Sequence, residues 1–352
     1  MKFTDKAGLL EVLDLVKPAV STRDFDSTLK CFHFTKDGIE GYNGEIYIKV
    51  LYTVDMDFLV PANTFYKLIT EIPDNVEFEI LADNTSVKVK VGKRIEAKFP
   101  LVADYKFPHK EVSGGNISFP LSKELLGGLK VCLEFIGKDE TKPVYRGVYI
   151  NPEGLFATDG YRIAHYNIKF SGEVFLPEAF CLLLLKHQPN EFFQDETKTS
   201  FLFKTPDILV FSNKLELGET LPNYLGVINS AKESSESRFI EVKGDMVDAC
   251  KRVSIFAEGL LDKYCGLLFD EKSVTITVKN SNIGEITEKF GIGKQKYNKE
   301  IVTVDLLLFQ SILEHSKIFE LSPKSEAREF PVILGINNNL EIVQITLNME
   351  ED

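Results

Sequence analysis

Apolar and polar residues follow the same order three times along the chain: a short apolar strand, an amphipathic helix and, later, strands that alternate strictly. Helical spacing of leucine and similar residues predicts three first helices, in residues 1–17, 117–137 and 238–257. Phe3, Phe119 and Phe239 occupy the same place before these helices, at intervals of 116 and 120 positions. Because solenoid repeats are far shorter, this period indicates a repeat of whole domains.

A second amphipathic segment and a pair of alternating strands follow in each repeat. The second helices are predicted within residues 59–69, 175–183 and 302–309. Alternation of apolar and polar residues is typical of half-buried antiparallel strands, and it recurs in residues 76–91, 200–211 and 332–343. The predicted N-caps of the first helices are Thr4 or Asp5, Ser122 and Asp245.

These patterns predict an α+β fold of three repeated domains, each with two short helices packed on antiparallel sheet. Polar segments at residues 111–116 and 230–237 read as the joints between them. The expected domains are residues 1–114, 115–235 and 236–352.

Residues 154–164 contain the most specific local pattern of the chain. Asp159-Gly160 between β-rich flanks predicts a hairpin with a tight two-residue turn. Thr158 precedes this turn, and an aromatic side chain and a guanidinium, Tyr161 and Arg162, follow it. The combination suits the rim of a peptide-binding pocket with Tyr161 and Arg162 as anchors, and an ordinary hairpin tip is the competing interpretation.

Composition narrows the class of protein. The chain of 352 residues has 53 acidic and 41 basic residues and a formal charge of −12, which argues against coating nucleic acid over the whole surface but allows a local basic face. Its five cysteines form no CxxC pair and lie mostly in apolar runs, as expected for buried free thiols in a reducing cytoplasm. The longest apolar run, residues 180–185, is too short to span a bilayer. We therefore expect a soluble cytoplasmic protein with no membrane partner.

Signals of catalysis are absent from the sequence. There is no GxGxxG, P-loop, HExxH or GxSxG motif, and the five histidines have no partner at ligand spacing. Asp159 is the best lone carboxylate, but no second acid or nucleophile pairs with it. We expect no enzymatic activity, no metal site and no cofactor.

Lysine and arginine recur on or just after the predicted helices of every repeat. A solvated helix face is one interpretation, and a surface that contacts phosphates without reading sequence is the other. The candidate DNA-facing residues are Arg23, Lys67, Lys130, Lys138, Lys142, Arg146, Lys186, Lys251 and Arg252.

The three repeats, the basic helices and Ala-Thr-Asp-Gly-Tyr-Arg-Ile-Ala at 157–164 together resemble the bacterial-type sliding clamp, the β subunit of the replicative DNA polymerase. The Met-Lys-Phe-Thr start and residues 101–105 and 221–227 extend the resemblance over the whole chain. It implies a non-enzymatic processivity factor whose two protomers close head to tail around duplex DNA. A ring of two-domain chains is disfavoured, because three repeats per chain give six domains with two chains.

The resemblance also implies a pocket that takes short peptide motifs from the DNA polymerase, the clamp loader and repair proteins. Carried over by motif, its residues are Tyr145, Thr158, Gly160, Tyr161, Arg162, Ile163, Pro222, Val227, Val343, Ile345 and Leu347. The apolar members would bury aliphatic and aromatic side chains, and Arg162 would hold the pocket's shape or a peptide carbonyl.

The chain departs from the family pattern at several of these places. Gly226 stands where a basic residue is common, Tyr161 where a histidine is common, and residues 344–349 replace a C-terminus that contains Met-Pro. These departures indicate a divergent member, and a phage or other mobile element is one hypothesis for its origin.

For the ring contact we expect an exposed β edge of the first domain to meet the third domain of a second copy, with opposite charges facing each other. The expected dimer-interface residues are Lys93, Arg94, Ile95, Leu260, Leu261, Glu285 and Glu288. Two alternatives stay open at this point: a β-rich repeat module that binds peptides without encircling DNA, and an enzyme with a site near Asp159.

Overall fold

The computed structural model describes residues 2–3, 5–22, 27–54, 56–74, 76–83, 85–101, 107, 116–233, 238–260, 262–324 and 329–347. Its α-helices are all ten or eleven residues long. They are α1 (Lys6–Val16), α2 (Ala62–Glu71), α3 (Lys123–Cys132), α4 (Glu178–His187), α5 (Tyr224–Glu233), α6 (Gly244–Ser254) and α7 (Leu306–His315).

The strands are short and are numbered in chain order. The first twelve are β1 (Lys2–Phe3), β2 (Cys31–Thr35), β3 (Gly38–Tyr42), β4 (Ile46–Leu51), β5 (Phe58–Pro61), β6 (Phe78–Ala82), β7 (Ser86–Val91), β8 (Ile95–Pro100), β9 (Ile117–Pro120), β10 (Gly147–Asn151), β11 (Gly154–Thr158) and β12 (Arg162–Tyr166). The others are β13 (Val174–Pro177), β14 (Glu191–Gln194), β15 (Ser200–Lys204), β16 (Ile208–Asn213), β17 (Ile240–Glu241), β18 (Tyr264–Asp270), β19 (Ser273–Asn280), β20 (Gly284–Gly291), β21 (Glu300–Asp305), β22 (Ile318–Ser322), β23 (Val332–Asn337) and β24 (Leu340–Ile345).

The chain divides into two compact units, residues 1–122 with 182–215 and residues 123–181 with 216–352. Each unit has one four-stranded and one eight-stranded sheet, and all neighbouring strands are antiparallel. In the first unit the strand orders are β1-β6-β7-β8 and β5-β2-β3-β4-β16-β15-β14-β9. In the second unit they are β20-β19-β18-β21 and β13-β10-β11-β12-β24-β23-β22-β17.

Helices cover both faces of the eight-stranded sheet in the second unit. Gly128 of α3 lies against Leu155, whereas Tyr224 of α5 stacks on Phe156 with 5.4 Å between ring centroids. Because neighbouring residues of a strand point to opposite faces, α3 and α5 pack on opposite sides of this sheet. α7 packs against β23 and β24 of the same sheet.

The predicted α+β class with antiparallel sheets is confirmed. The three predicted first helices are α1, α3 and α6, and the three predicted second helices are α2, α4 and α7. Strands are present in all the segments predicted from alternation. In β7, buried valines alternate with half-buried lysines, as predicted. In β15 and β23, three and four consecutive residues are buried, so the prediction of half-buried strands is wrong there. The boundaries of three domains stay a prediction.

One helix was not predicted. Residues 230–233, interpreted as part of a polar joint, belong to α5, and residues 234–237 lie outside the described part of the chain. Tyr224, Ile228 and Ala231 form its buried stripe at helical spacing. The polar residues that suggested a joint are the exposed side of an amphipathic helix.

The N-cap predictions have mixed outcomes. Asp5 accepts the Gly8 N–H through its side chain, 2.8 Å apart, as predicted, and Ser122 directly precedes α3. The cap at Asp245 is wrong, because α6 begins one residue earlier and Asp245 lies in its first turn. Asp305 is a cap that sequence reasoning missed: its carboxylate accepts the N–H groups of the second and third residues of α7.

The structure bears on the predictions about the cysteines and about membrane-spanning helices. The five cysteines are buried and free, as predicted, and burial raises the pKa of Cys132, Cys181, Cys250 and Cys265. Within the described residues, none of the helices has the length and apolar character needed to cross a bilayer.

Candidate functional site

The β11–β12 hairpin forms the centre of the candidate site. Thr158 pairs with Ile163, which leaves residues 159–162 between the paired positions, so the predicted two-residue turn is wrong. Hydrogen bonds with side chains hold this longer turn in place. The Asp159 carboxylate accepts the N–H groups of Tyr161 and Arg162 at 2.9 and 2.7 Å, and Gly160 adopts a φ of +92°. The Thr158 hydroxyl accepts the Gly160 N–H at 3.0 Å and donates to the Arg162 carbonyl at 2.6 Å.

Arg162 fixes this loop to the segment that follows α3. Its Nε and Nη2 lie 3.0 and 2.9 Å from Asp159 Oδ2, and Nη2 donates to the Glu134 carbonyl at 3.2 Å. The guanidinium also lies 4.7 Å from the centre of the Phe135 ring. Only 7% of Arg162 is exposed, whereas 57% of its neighbour Tyr161 is exposed. Arg162 therefore maintains the shape of the hairpin, and Tyr161 is the residue of the pair that is open to a partner.

The same contacts bear on the hypothesis of an enzyme near Asp159. Both carboxylate oxygens of Asp159 already accept hydrogen bonds, from two backbone N–H groups and from the Arg162 guanidinium. Among the described residues, no group of three or more His, Cys, Asp or Glu could hold a metal ion. The geometry gives Asp159 a structural role.

A hydrophobic core cluster lies beneath α5 on the face of the sheet opposite Arg162. Ile163 pairs with Val343 across β12 and β24, and Val227 of α5 packs against the same cluster. Ile163 and Val227 are half-buried at the rim of this cluster, whereas Val343 is only 2% exposed. We call Ile163, Val227 and Val343 the apolar groove. Three of the predicted pocket residues thus meet in one place.

Pro222 and Tyr145 lie at two other parts of the predicted pocket. Pro222 is half-buried at the start of α5, where its carbonyl accepts the Tyr224 N–H at 2.9 Å. The Tyr145 ring lies so close to Gly160 that a Cβ on this glycine would be 3.0 Å from the ring. Tyr145 therefore supports the turn beside Tyr161.

A hollow of about 160 Å³ opens at the end of β24, beside the apolar groove. The Ile345 N–H donates to the Tyr161 carbonyl at 3.0 Å, which continues the β12–β24 ladder past Ile163 and Val343. Three predicted pocket residues line this hollow, together with five that sequence reasoning missed; in full they are Tyr161, Asp262, Tyr264, Asp305, Leu308, Gln344, Ile345 and Leu347. We call this cavity the acidic hollow. The missed residues come from β18 and the loop before it and from β21, α7 and β24, and only Asp305, as a helix cap, carried a local signal.

The structure thus divides the predicted pocket into parts. Ile163, Val227 and Val343 form the apolar groove, and Tyr161, Ile345 and Leu347 line the acidic hollow next to it. Thr158 and Arg162 are buried within the hairpin, and Gly160 lies at its turn.

The candidate DNA-facing residues lie on several helices and one loop. Lys67 of α2, Lys130 of α3, Lys186 of α4, and Lys251 and Arg252 of α6 are exposed. Lys138 and Lys142 are exposed and Arg146 half-buried in the segment between α3 and β10. Arg23 lies outside the described residues.

Some of these cations already have acidic partners. Lys138 lies 2.5 Å from Glu178, and Lys251 lies 3.7 Å from Asp248. Arg252 binds Glu288 through two nitrogens at 2.6 and 2.9 Å, although the sequence placed these two residues on different surfaces. Within the described part of the chain, Lys67, Lys130, Lys142, Arg146 and Lys186 form no ion pair, and of these the four lysines are exposed to an anionic ligand.

The expected ring-contact residues lie at sheet edges. β8 and β20 are each the last strand of a four-stranded sheet. Lys93 and Arg94 are in the exposed turn before β8, and Ile95 begins that strand with 43% of its surface exposed. Glu285 and Glu288 are on β20, and Leu260 is half-buried just after α6. Leu261 lies outside the described residues.

Comparisons with known proteins complete these observations. No model of a protein family matches the chain, and no curated protein sequence matches it. Among solved structures, the chain is similar over its full length to bacterial sliding clamps. The Caulobacter crescentus polymerase III beta matches with a TM-score of 0.80 at 18% identity, covering 99% of this chain and 100% of that one.

The chain has the sliding-clamp fold. A clamp from Bartonella birtlesii matches with the same TM-score of 0.80 and 18% identity, again over 99% of this chain and 100% of that one. The Bacillus subtilis clamp matches with a TM-score of 0.75 at 18% identity over 99% of both chains. The resemblance to the sliding clamp that rested on residues 157–164 is confirmed for the fold, and these identities make the sequence a divergent example of it.

Proposed function

We propose that this protein is a DNA sliding clamp, an accessory processivity factor of the cytoplasm rather than an enzyme. Two copies close into a ring around duplex DNA and tether the replicative polymerase and other replication or repair proteins. The observation that carries the proposal is the full-length similarity in fold to bacterial clamps. The apolar groove and the exposed lysines give that fold surfaces for a peptide and for DNA.

The contact with DNA is electrostatic and independent of sequence. Lys67, Lys130, Lys142 and Lys186 form no ion pair among the described residues, so they can approach phosphates without breaking one. Such contacts weaken steeply as salt rises. The chain as a whole has a charge of −12, which repels DNA from the other surfaces. Retention on DNA therefore depends on ring closure, and the ring can slide.

The contact with partner proteins uses the apolar groove. Ile163 and Val227 are half-buried, so a peptide that covers them removes apolar surface from water at about 25 cal/mol per Å². Tyr161 is exposed at the end of the groove and provides an aromatic surface of the kind common in binding hot spots. A short, mostly extended peptide with aliphatic and aromatic side chains fits these features.

The ring contact joins β8 of one copy to β20 of the next. Both strands have unpaired backbone groups at the edge of a sheet, and pairing them removes exposed edges. Lys93 and Arg94 beside β8 are positive, and Glu285 and Glu288 of β20 are negative. The domain arrangement 1–114, 115–235 and 236–352 then gives six domains in a two-copy ring.

Topological linkage is the direct test of encirclement. Cysteines are introduced at Arg94 and Glu285, where the native cysteines do not interfere because they are buried. The protein is mixed with a nicked circular plasmid, joined across both contacts with a bismaleimide, and washed at about 1 M salt, where the Debye length is about 3 Å. We expect the cross-linked rings to stay on the circle and to leave when one restriction cut makes it linear.

Two results would contradict encirclement. Equal retention on circular and linear DNA after the wash would indicate ordinary binding. Loss from both forms, with cross-linking complete, would favour a peptide-binding module that does not encircle DNA. The matched control carries only the cysteine at Arg94, so its ring cannot be locked covalently, and it should leave both forms of DNA in the wash.

A further inference from the structure

We propose that the acidic hollow selects partner peptides that carry a lysine or arginine next to their apolar anchors. The inference rests on the peptide-binding function proposed above and adds the chemistry of a second part of the ligand. The side chain of that residue would enter the hollow while the anchors lie in the apolar groove.

Two carboxylates in the hollow have no cationic partner. Asp262 and Asp305 both line it, and neither forms an ion pair with a lysine, arginine or histidine among the described residues. Asp305 Oδ1 accepts the N–H groups of Leu307 and Leu308 at 2.9 and 3.0 Å, which holds this carboxylate in place. Two nearby acids without a counter-ion make a favourable position for a cation.

A third acceptor in the hollow is buried and unused. Gln344 is only 1% exposed, and its Nε2 donates to the Asp305 carbonyl at 3.2 Å, which identifies the other amide atom as the oxygen. That oxygen, Oε1, has no hydrogen-bond partner in the structure. Because burying an acceptor without a donor is unfavourable, a ligand that donates a hydrogen bond here is stabilised.

The walls suit the stem of a long basic side chain. Leu308, Ile345 and Leu347 provide apolar surface beside the three acceptors, and lysine and arginine bury their methylene groups along such surface while the charged end reaches polar partners. The volume of about 160 Å³ accepts one side chain and is too small for a folded domain. Burial raises the pKa of Tyr264, and the charges of Asp262 and Asp305 raise it further, which agrees with a negative potential in the hollow.

The hollow and the groove are close enough for one peptide. Ile163 and Val343 are opposite each other on β12 and β24, and two positions further along the same ladder the Ile345 N–H donates to the Tyr161 carbonyl. Residues two apart on a strand share a face about 7 Å apart. An extended peptide over this ladder reaches the hollow within a few residues of its anchors.

Selection from a random peptide library displayed on phage tests the proposal. The baits are the full-length protein, the Asp262→Asn/Asp305→Asn variant, and Asp270→Asn as a control for loss of an acid elsewhere. Asparagine is as good an N-cap as aspartate, so the change at Asp305 keeps the start of α7, and circular dichroism checks the fold. We expect the unchanged protein and the control to enrich apolar anchors with a neighbouring lysine or arginine, and the double variant to enrich the anchors alone.

Affinity then gives the size of the effect. For a selected peptide, fluorescence anisotropy is measured with the basic residue and with norleucine in its place. We expect norleucine to weaken binding about tenfold to the unchanged protein, as a charge-assisted hydrogen bond implies, and to leave binding to the double variant unchanged.

The possible failures are distinct. Enrichment of apolar anchors without a basic neighbour overturns the inference about the hollow and leaves the peptide site in place. A Val227→Lys bait, which blocks the groove, should enrich nothing. If it enriches the same peptides, or if the unchanged protein enriches none, both this inference and the proposed peptide site are overturned.

Discussion

Arg162 and Asp159 determine the shape of the hairpin on which the candidate site depends. Their ion pair is almost fully buried, and the same guanidinium reaches the Glu134 carbonyl and the Phe135 ring. In the sequence, these two residues resemble ligand-binding residues of a pocket. In the structure, their polar atoms bind other groups of the same chain. Their effect on a partner is indirect, through the position of Tyr161.

Replacing Arg162 by alanine should therefore destabilise the protein strongly. Removing one partner of a buried ion pair typically costs about 3–5 kcal/mol, because the other charge stays buried without compensation. Unfolding in urea, followed by circular dichroism, measures the change. Lys169→Ala removes an exposed cation of the same unit and is the matched control, for which we expect little change. A loss below about 1 kcal/mol for Arg162→Ala would mean that the pair does not support the hairpin.

A second buried network makes the first unit sensitive to pH. His33 Nδ1 lies 2.7 Å from Glu40 and Nε2 lies 3.1 Å from Asp57. Burial lowers the pKa of His33, but the hydrogen bonds and charges of Glu40 and Asp57 outweigh it, and the net shift is upward. A raised pKa in the folded state means that the charged form stabilises the fold.

The sign of the pH effect follows. The contribution of His33 is complete below the unfolded pKa of about 6.5 and is lost as pH rises through the higher folded value. Urea unfolding across pH 6 to 9 should show stability falling over that window. A His33→Gln variant should be less stable at pH 6 and lack this slope. The same slope in both proteins would assign it to other groups.

At the scale of elements, the edge strands β8 and β20 lead to a charge-swap experiment. Lys93→Glu/Arg94→Glu puts negative charge on both sides of the proposed contact, and Glu285→Lys puts positive charge on both sides. Each variant alone should have weaker dimers. In a mixture of the two, both contacts of a head-to-tail ring join opposite charges, so dimers should return. Glu285 is chosen because its ion pair with Lys279, at 3.8 Å, is looser than that of Glu288 with Arg252, at 2.6 Å.

Analytical ultracentrifugation of each variant and of the mixture measures this outcome. Lys272→Glu, a charge reversal in the exposed turn between β18 and β19, is the control and should behave like the unchanged protein. A mixture no more dimeric than its components would refute the pairing of these two edges.

Elements were the part of the structure most open to prediction from sequence. Alternation located the strands that follow the second helix of each repeat, and helical spacing located six helices. Both patterns depend only on neighbours along the chain. Helix α5 was missed because its buried stripe is short and its exposed side looks like a polar joint. The pairing of Arg162 with Gln344 was beyond such reasoning, since nothing local specifies which distant strand lies beside β12.

The candidate site shows the same limit. Ile163, Val227 and Val343 were grouped through the family resemblance, and they do meet in one cluster. Asp262, Tyr264 and Gln344 gave no local signal, because the acidic hollow exists only where β18, β21 and β24 come together. The inward direction of Arg162 also depends on contacts with residues 134 and 135, which the motif itself does not contain.

At the scale of the whole molecule, the proposed function depends on ring closure. An acidic protein with a few unpaired lysines would bind DNA weakly, and encirclement is what makes such weak contacts sufficient. Edge strands that pair head to tail can also form open filaments of many copies. Closure of the ring at two copies is therefore a separate prediction.

The mass of the unchanged protein in solution tests that claim most directly. Light scattering is measured over a series of concentrations from below to above the micromolar range. A closed two-copy ring should reach a plateau near twice the chain mass of 39.8 kDa. A mass of 39.8 kDa throughout, or one that keeps rising with concentration, would contradict it.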